Sequence, residues 1–198
     1  MSSSTAYKGG ARFALTCLFA ALCSAGAFIS LPVPGSPVPI VVQNLFVVLA
    51  GLLLGPLDGA IAILIFLAIG AMGFPVFSGG RGGLAHFLGP TGGYLLGYLV
   101  AALVSGFLGR KRRLLPIALA SLAGFLSILG FGVLGLHLVK GAGWAKALAI
   151  GALPFLPGDA LKCVLTILVA MKLGPFTDSL LGRGGPGKAK ADMAESRS

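Results

Sequence analysis

The feature that most constrains this chain is the repeated return of apolar stretches long enough to cross a bilayer. "ARFALTCLFAALCSAGAFISL" covers Ala11–Leu31, "VVQNLFVVLAGLLLG" covers Val41–Gly55, and "PLDGAIAILIFLAIGAMGF" covers Pro56–Phe74. "GYLLGYLVAALVSGFLG" follows at Gly93–Gly109 and "LLPIALASLAGFLSILGFGVLGLHLV" at Leu114–Val139. A last run starts near Pro157 and ends near Leu173. Crossing the hydrocarbon takes roughly 20 residues of helix, and runs that recur through the chain are not one leader peptide. With 57% hydrophobic and 10% charged residues, the composition excludes a water-soluble domain. The expectation is an all-α polytopic membrane protein, a compact bundle of six transmembrane helices with structured outer loops. Residues 1–10 would be a short cytoplasmic N-terminus, 11–174 the transmembrane substrate-binding domain, and 175–198 a basic, disordered cytoplasmic tail.

The cut between the second and third runs rests on Gly55–Pro56. Read as one helix, Val41 to Phe74 would be about 50 Å long, too long for one crossing. Glycine followed by proline punctuates a helix, and Asp58 is placed to cap the next one. A tight turn is expected there.

A formal charge of +10 on a soluble protein would suggest nucleic acid. Here the charges are local. "RKRR", Arg110 to Arg113, lies between apolar runs, and Lys172, Arg183, Lys188 and Lys190 lie at and beyond the end of the last. This is the pattern of membrane topology and of contact with anionic lipid. Six spans with Lys8 and Arg12 inside put both termini and the "RKRR" turn in the cytoplasm.

The outer segments are the unusual ones. "SLPVPGSPVPI", Ser30–Ile40, carries Pro32, Pro34, Pro37 and Pro39; such a segment is extended and stiff, not helical. "FPVFSGGRGGLAHFLGPTGG" contains paired glycines that permit close backbone approach. "GAGWAKALAIGALPFLPG" carries Trp144 and leads back to the last helix. Three such segments over a bundle suggest a lidded pocket.

Candidate pocket residues follow from polarity at the same depth. Asp159 and Lys162 stand at i and i+3, on one helix face. Pro157 and Asp159 suit a first helical turn, but a lysine near a helix N-terminus is disfavoured. A capping acid with a basic neighbour therefore explains Asp159 well and Lys162 less well, a lysine one turn inside the helix being able to snorkel outward. Gln43 and Asn44 offer amides that donate and accept. Arg81, between Gly79–Gly80 and Gly82–Gly83, suits an anion, while Tyr94 and Tyr98 supply aromatic wall. Tyr94 and Trp144 are equally read as interface anchors. The set suits a small, partly apolar organic solute.

Cys17, Cys23 and Cys163 lie inside apolar runs without metal spacing, and His86 and His137 form no ligand pair. Ser78 has no evident base partner, so catalysis is not expected, and neither is a metal or cofactor. Small residues recur four apart at Ala21/Ala25, Gly51/Gly55 and Gly93/Gly97, a spacing that lets helices approach closely. For the glycines internal packing is the expectation; for the alanines a partner subunit is the alternative. A scaffold that packs beside another membrane protein without binding solute is the competing function.

"PVPGSPVPIVVQNL", "FPVFSGGRGGL", "LGPTGGYLLGY" and "FLPGDALK", in that order, resemble the BioY family, the substrate-binding S components of energy-coupling-factor (ECF) vitamin transporters. The resemblance extends over about residues 12–173. It implies a biotin-binding subunit of the bacterial cytoplasmic membrane that works with a transmembrane coupling subunit and paired ATPases, or alone. It implies that Asp159 and Lys162 are the family's acid and lysine of the last helix. Ser78 to Gly83, with Gly79, Gly80 and Arg81, is then the family's outer glycine loop, and Ala21 and Ala25 face the coupling subunit. Where the family has threonine–leucine before the glutamine, this chain has Val41–Val42. Walker motifs are absent, so ATP hydrolysis would belong to partners. An S component for another vitamin is the nearest alternative.

Overall fold

The computed structural model describes residues 3–183. Seven α-helices follow in order: α1 (Ser3–Gly26), α2 (Gln43–Leu54), α3 (Pro56–Ala71), α4 (Gly92–Leu108), α5 (Leu114–Lys140), α6 (Trp144–Gly151) and α7 (Leu156–Leu180). The proline-rich segment is free of helix. Its ends form a two-stranded antiparallel ribbon, β1 (Ser30–Leu31) against β2 (Ile40–Val41), with Ser30 opposite Val41. A single 3-10 turn, Leu84–His86, interrupts the glycine-rich loop.

Helix α2 is the axis of the molecule. It packs against α1, α3, α4, α5 and α7, and Gln43, Asn44 and every residue from Val47 to Leu54 are buried. The expected turn at Gly55–Pro56 is present: Gly55 has φ +84° and Pro56 opens α3. The close approach of the neighbouring helices needs residues without side chains. A Cβ on Gly93 would lie 2.2 Å from the carbonyl oxygen of Phe131, and one on Gly51 2.3 Å from that of Ala102. The small-residue spacing in α2 and α4 therefore serves internal packing.

Three helical segments are each long and apolar enough to cross a membrane: Gly9–Gly26, Leu114–Lys140 and Leu156–Leu180. Helices α2, α3 and α4, at 12, 16 and 17 residues, are shorter. At about 18 Å, α2 reaches little more than halfway through a hydrocarbon core of about 30 Å. Of the six transmembrane helices expected, three among the described residues are thus of spanning length and three are shorter.

Two expectations need correction. Asp58 does not cap α3, which has Gly55 at that position and no side-chain cap. It lies in the first turn, where its carboxylate takes Arg12 Nη2 at 2.8 Å and Arg183 Nη2 at 3.0 Å. The last helix does not end at 174 but continues through Pro175 to Leu180. The turn beyond the proline is held by Asp178, which accepts from Arg112 Nε and Nη2 at 2.8 Å each. Of the expected tail, residues 184–198 lie outside the described residues.

Candidate solute-binding site

The N-terminal ends of α2, α4 and α7 converge at one end of the bundle, beneath the proline and glycine loops. Between them lies a narrow pocket with a cavity volume of about 30 Å³. Val38, Pro39 and Val41 line it from the proline loop and β2, and Phe77, Ser78 and Thr91 from the glycine loop. Gln43 and Asn44 contribute from α2, Tyr94, Leu95 and Tyr98 from α4, Leu129 from α5, and Phe155 from the α6–α7 turn. The wall is thus mostly aromatic and aliphatic, with hydroxyls and amides at a few points, the usual make-up of a small-molecule site.

Its aromatic residues are seated by glycines in facing helices. A Cβ on Gly132 would fall 2.1 Å from the Tyr94 ring, and one on Gly70 2.2 Å from the Phe77 ring. Phe77 meets Phe66 edge-on at 5.5 Å between centroids, and Tyr94 meets Phe155 at 6.2 Å. Tyr94 donates its hydroxyl proton to the carbonyl of Gly151 at 2.5 Å, fastening α6 over α4. It is buried, not exposed as an interface anchor would be. Tyr98 donates to Asn44 Oδ1 at 2.9 Å. Gln43 is 1% exposed and its Nε2 has no hydrogen-bond partner.

Asp159 and Lys162 lie beside this wall without lining it. Both are buried, at 4% and 7% exposure. Lys162 Nζ stands 2.5 Å from Asp159 Oδ1 and donates to the main-chain oxygen of Val41 at 3.0 Å. The Asp159–Lys162 approach is an ion contact without hydrogen-bond geometry, so neither Asp159 oxygen accepts a hydrogen bond from the protein. A buried carboxylate with unused acceptors is costly, because hydrogen bonds to water have been lost and not replaced. It is positioned to receive donors from a bound molecule.

The glycine-loop residues form a separate, outer cavity. Arg81 and Gly79 line it with His86, Ser30, Ser36 and several prolines, and it shares Pro39, Ser78 and Thr91 with the deeper pocket. Arg81 is tied to Phe77 by main-chain bonds that close the loop, with Phe77 N 2.8 Å from Arg81 O. A Cβ on Gly80 would lie 3.5 Å from the Phe28 ring, and Gly80 lines neither cavity. Residue patterns alone do not single out Phe77, Thr91, Leu129 or Phe155. Apolar residues in an apolar chain give no local signal of which face meets a ligand. Ala21 and Ala25 are exposed on the outside of α1, far in role from the pocket, while Ala20 is buried.

Fold and site together define a mostly helical membrane protein with a covered, amide- and aromatic-lined pocket. The family model described as the BioY family matches residues 2–178. The chain is 45% identical over 183 residues to a biotin transporter BioY of Rhodobacter capsulatus, covering 84% of this chain and 95% of the relative. It is 43% identical to a probable biotin transporter BioY of Pyrococcus horikoshii, covering 80% and 93%. The structure superposes on the S component for biotin from an ECF-type ABC transporter with a TM-score of 0.79, at 30% identity, over 87% and 94% of the two chains. The chain belongs to the BioY family.

Proposed function

We propose that the protein is the biotin-binding membrane subunit of a biotin uptake system. The observation that carries this reading is the buried Asp159 carboxylate, with unused acceptor positions, next to a covered pocket. Biotin offers a ureido ring with two N–H donors and one carbonyl, an apolar thiolane and valeryl chain, and a carboxylate. Asp159 accepts from the ureido ring, Lys162 donates to an oxygen, and Gln43 Nε2 supplies a further donor, while Tyr94, Phe77 and Phe155 enclose the apolar body. Hydrogen bonds to a charged group strengthen when water is excluded. Arg81, Gly79 and Gly80 form the loop above the entrance.

The same reading places the protein in the cytoplasmic membrane as six passes, α1 to α5 and α7, with both termini and the "RKRR" turn inside. The basic residues at the end opposite the pocket support that orientation. Exposure of Ala21 and Ala25 supports a coupling subunit docked on α1, and ATP hydrolysis then belongs to that assembly. Isothermal titration of the purified protein with biotin, with thiamin and riboflavin as competitors, tests the function. Saturable binding of biotin alone is expected; its absence from folded protein would remove the proposal. Cysteines placed singly in residues 110–113 should resist an impermeant thiol reagent in intact cells.

A further inference from the structure

The end of the bundle opposite the pocket holds a further cavity of about 390 Å³. It is lined by the guanidiniums of Arg12, Arg110, Arg112 and Arg183, by the carboxylates of Asp58 and Asp178, and by Leu57 among other residues. The four cations are not equivalent. Arg112 is fully engaged, with Nε and Nη2 on Asp178 and Nη1 on the carbonyl of Leu52 at 2.6 Å. Arg183 is divided between Asp58 and the carbonyls of Leu53 and Leu54. These two arginines satisfy the last carbonyls of α2. Arg12 is bidentate on Asp58 through Nε and Nη2, its Nη1 has no partner among the described residues, and its side chain is 52% exposed. Arg110 has no carboxylate partner among the described residues; its guanidinium stands 4.8 Å over the Phe107 ring. Cations therefore outnumber carboxylates, and two open guanidinium edges border the exposed apolar surface of Leu57 and Phe107.

We infer that this cleft binds a phosphate ester anion, and that its source is the headgroup of an anionic glycerophospholipid. The planar guanidinium fork matches phosphate oxygens. Exposed Leu57 in the same cavity suits an acyl chain, which a free phosphate would not use. The site rests on the membrane-spanning reading and is independent of which solute enters the pocket at the other end.

The test is lipid retention by the purified full chain in mixed micelles, read by native mass spectrometry. Phosphatidylglycerol, phosphatidylcholine and sodium phosphate are the probes. Phosphatidylglycerol should be retained in preference to phosphatidylcholine. Arg110→Gln should weaken it about fivefold, from about 1 kcal/mol per basic residue near an anionic headgroup. Lys111→Gln, in the same turn but outside the cavity, should weaken it far less. Equal retention of both lipids, or equal losses in the two variants, overturns the site. Displacement of phosphatidylglycerol by millimolar sodium phosphate overturns the lipid as source. Biotin titration of the same preparations reads the outer pocket separately.

Discussion

Lys162 Nζ donates at 3.0 Å to the main-chain oxygen of Val41, a residue 121 positions earlier in the chain. One bond thus joins the first turns of α7 to the strand that leads into α2. It offsets the unfavourable placement of a cation near a helix N-terminus, because the charge rests between a carboxylate and a carbonyl. It also explains why valine is acceptable at position 41: the contact is made by the backbone, and the side chain only fills space.

Removing either member of the charged pair should act on solute affinity more than on folding. Loss of one partner of a buried charge-assisted pair costs about 2–5 kcal/mol, or roughly 30- to several-thousand-fold in affinity. Asp159→Asn and Lys162→Met should both show such losses for biotin with similar amounts of folded, inserted protein. Dissociation constants and melting temperatures measured on the same preparations decide; near-normal affinity in both variants moves the site elsewhere.

The two α4 tyrosines should separate by phenotype. Tyr98→Phe frees the Asn44 amide in the pocket wall, and a net hydrogen bond of about 0.5–1.5 kcal/mol translates to about 2- to 12-fold weaker biotin binding. Tyr94→Phe instead leaves the Gly151 carbonyl without its partner. It should lower thermal stability, with α6 exchanging its amide hydrogens faster. If Tyr98→Phe binds biotin as tightly as the parent, Asn44 is not oriented by that hydroxyl.

Gly93→Ala places a methyl group 2.2 Å from the Phe131 carbonyl and 2.8 Å from the Gly135 Cα, both backbone atoms that cannot swing away. Overpacking of this kind costs about 1–3 kcal/mol. Gly130→Ala, in α5 with nothing within 4 Å of the new atom, is the matched control and should not destabilise. Melting curves in detergent compare the two.

On α1 the adjacent alanines should part company. Ala21→Phe enlarges an exposed face and should weaken co-purification with a coupling subunit while leaving biotin affinity unchanged. Ala20→Phe, at a buried position, should damage the fold itself. Undiminished complex formation and uptake by Ala21→Phe would assign that face to lipid.

His86, in the loop above the pocket, is held below its ordinary pKa by burial and then by the charge of Arg81. It is neutral at pH 7. Because the folded form takes up its proton less readily than the unfolded chain, stability falls as pH drops below 6.5 and levels off below the lowered value. A histidine NMR titration with its midpoint at or above 6.5 contradicts this.

Much of this could be read from residue order, where the cause is local. Gly55–Pro56 breaks a helix whatever surrounds it, and the prolines of residues 32–39 forbid helix by their own geometry. Asp159 and Lys162 stood out because charge is scarce in apolar sequence. What was not legible depends on distant partners. Asp58 reads locally as a cap, and only Arg12, 46 positions before it, and Arg183, 125 after it, give it another role. Asp178, in the turn of α7 beyond Pro175, likewise has its partner Arg112 66 positions earlier. Phe77 and Phe155 line the pocket through distant packing, Phe77 against the bare backbone of Gly70 and Phe155 against the Tyr94 ring.

The shortness of α2 bears on how the protein enters its membrane. A helix of 12 residues offers the insertion machinery too little length to partition on its own. Joined through a one-residue bend to the 16 residues of α3, it can be threaded as a helical hairpin, both arms together. The acidic and basic groups at that bend must then find one another late. Arg112 reaches the α2 carbonyls only after α4 has been made, and Arg183 only after α7. Until then the nascent chain would hold a helix end with open carbonyls near the lipid, a state exposed to quality-control proteolysis. Truncation before Asp178 should therefore shorten the lifetime of the polypeptide in cells even though every residue around the pocket is present.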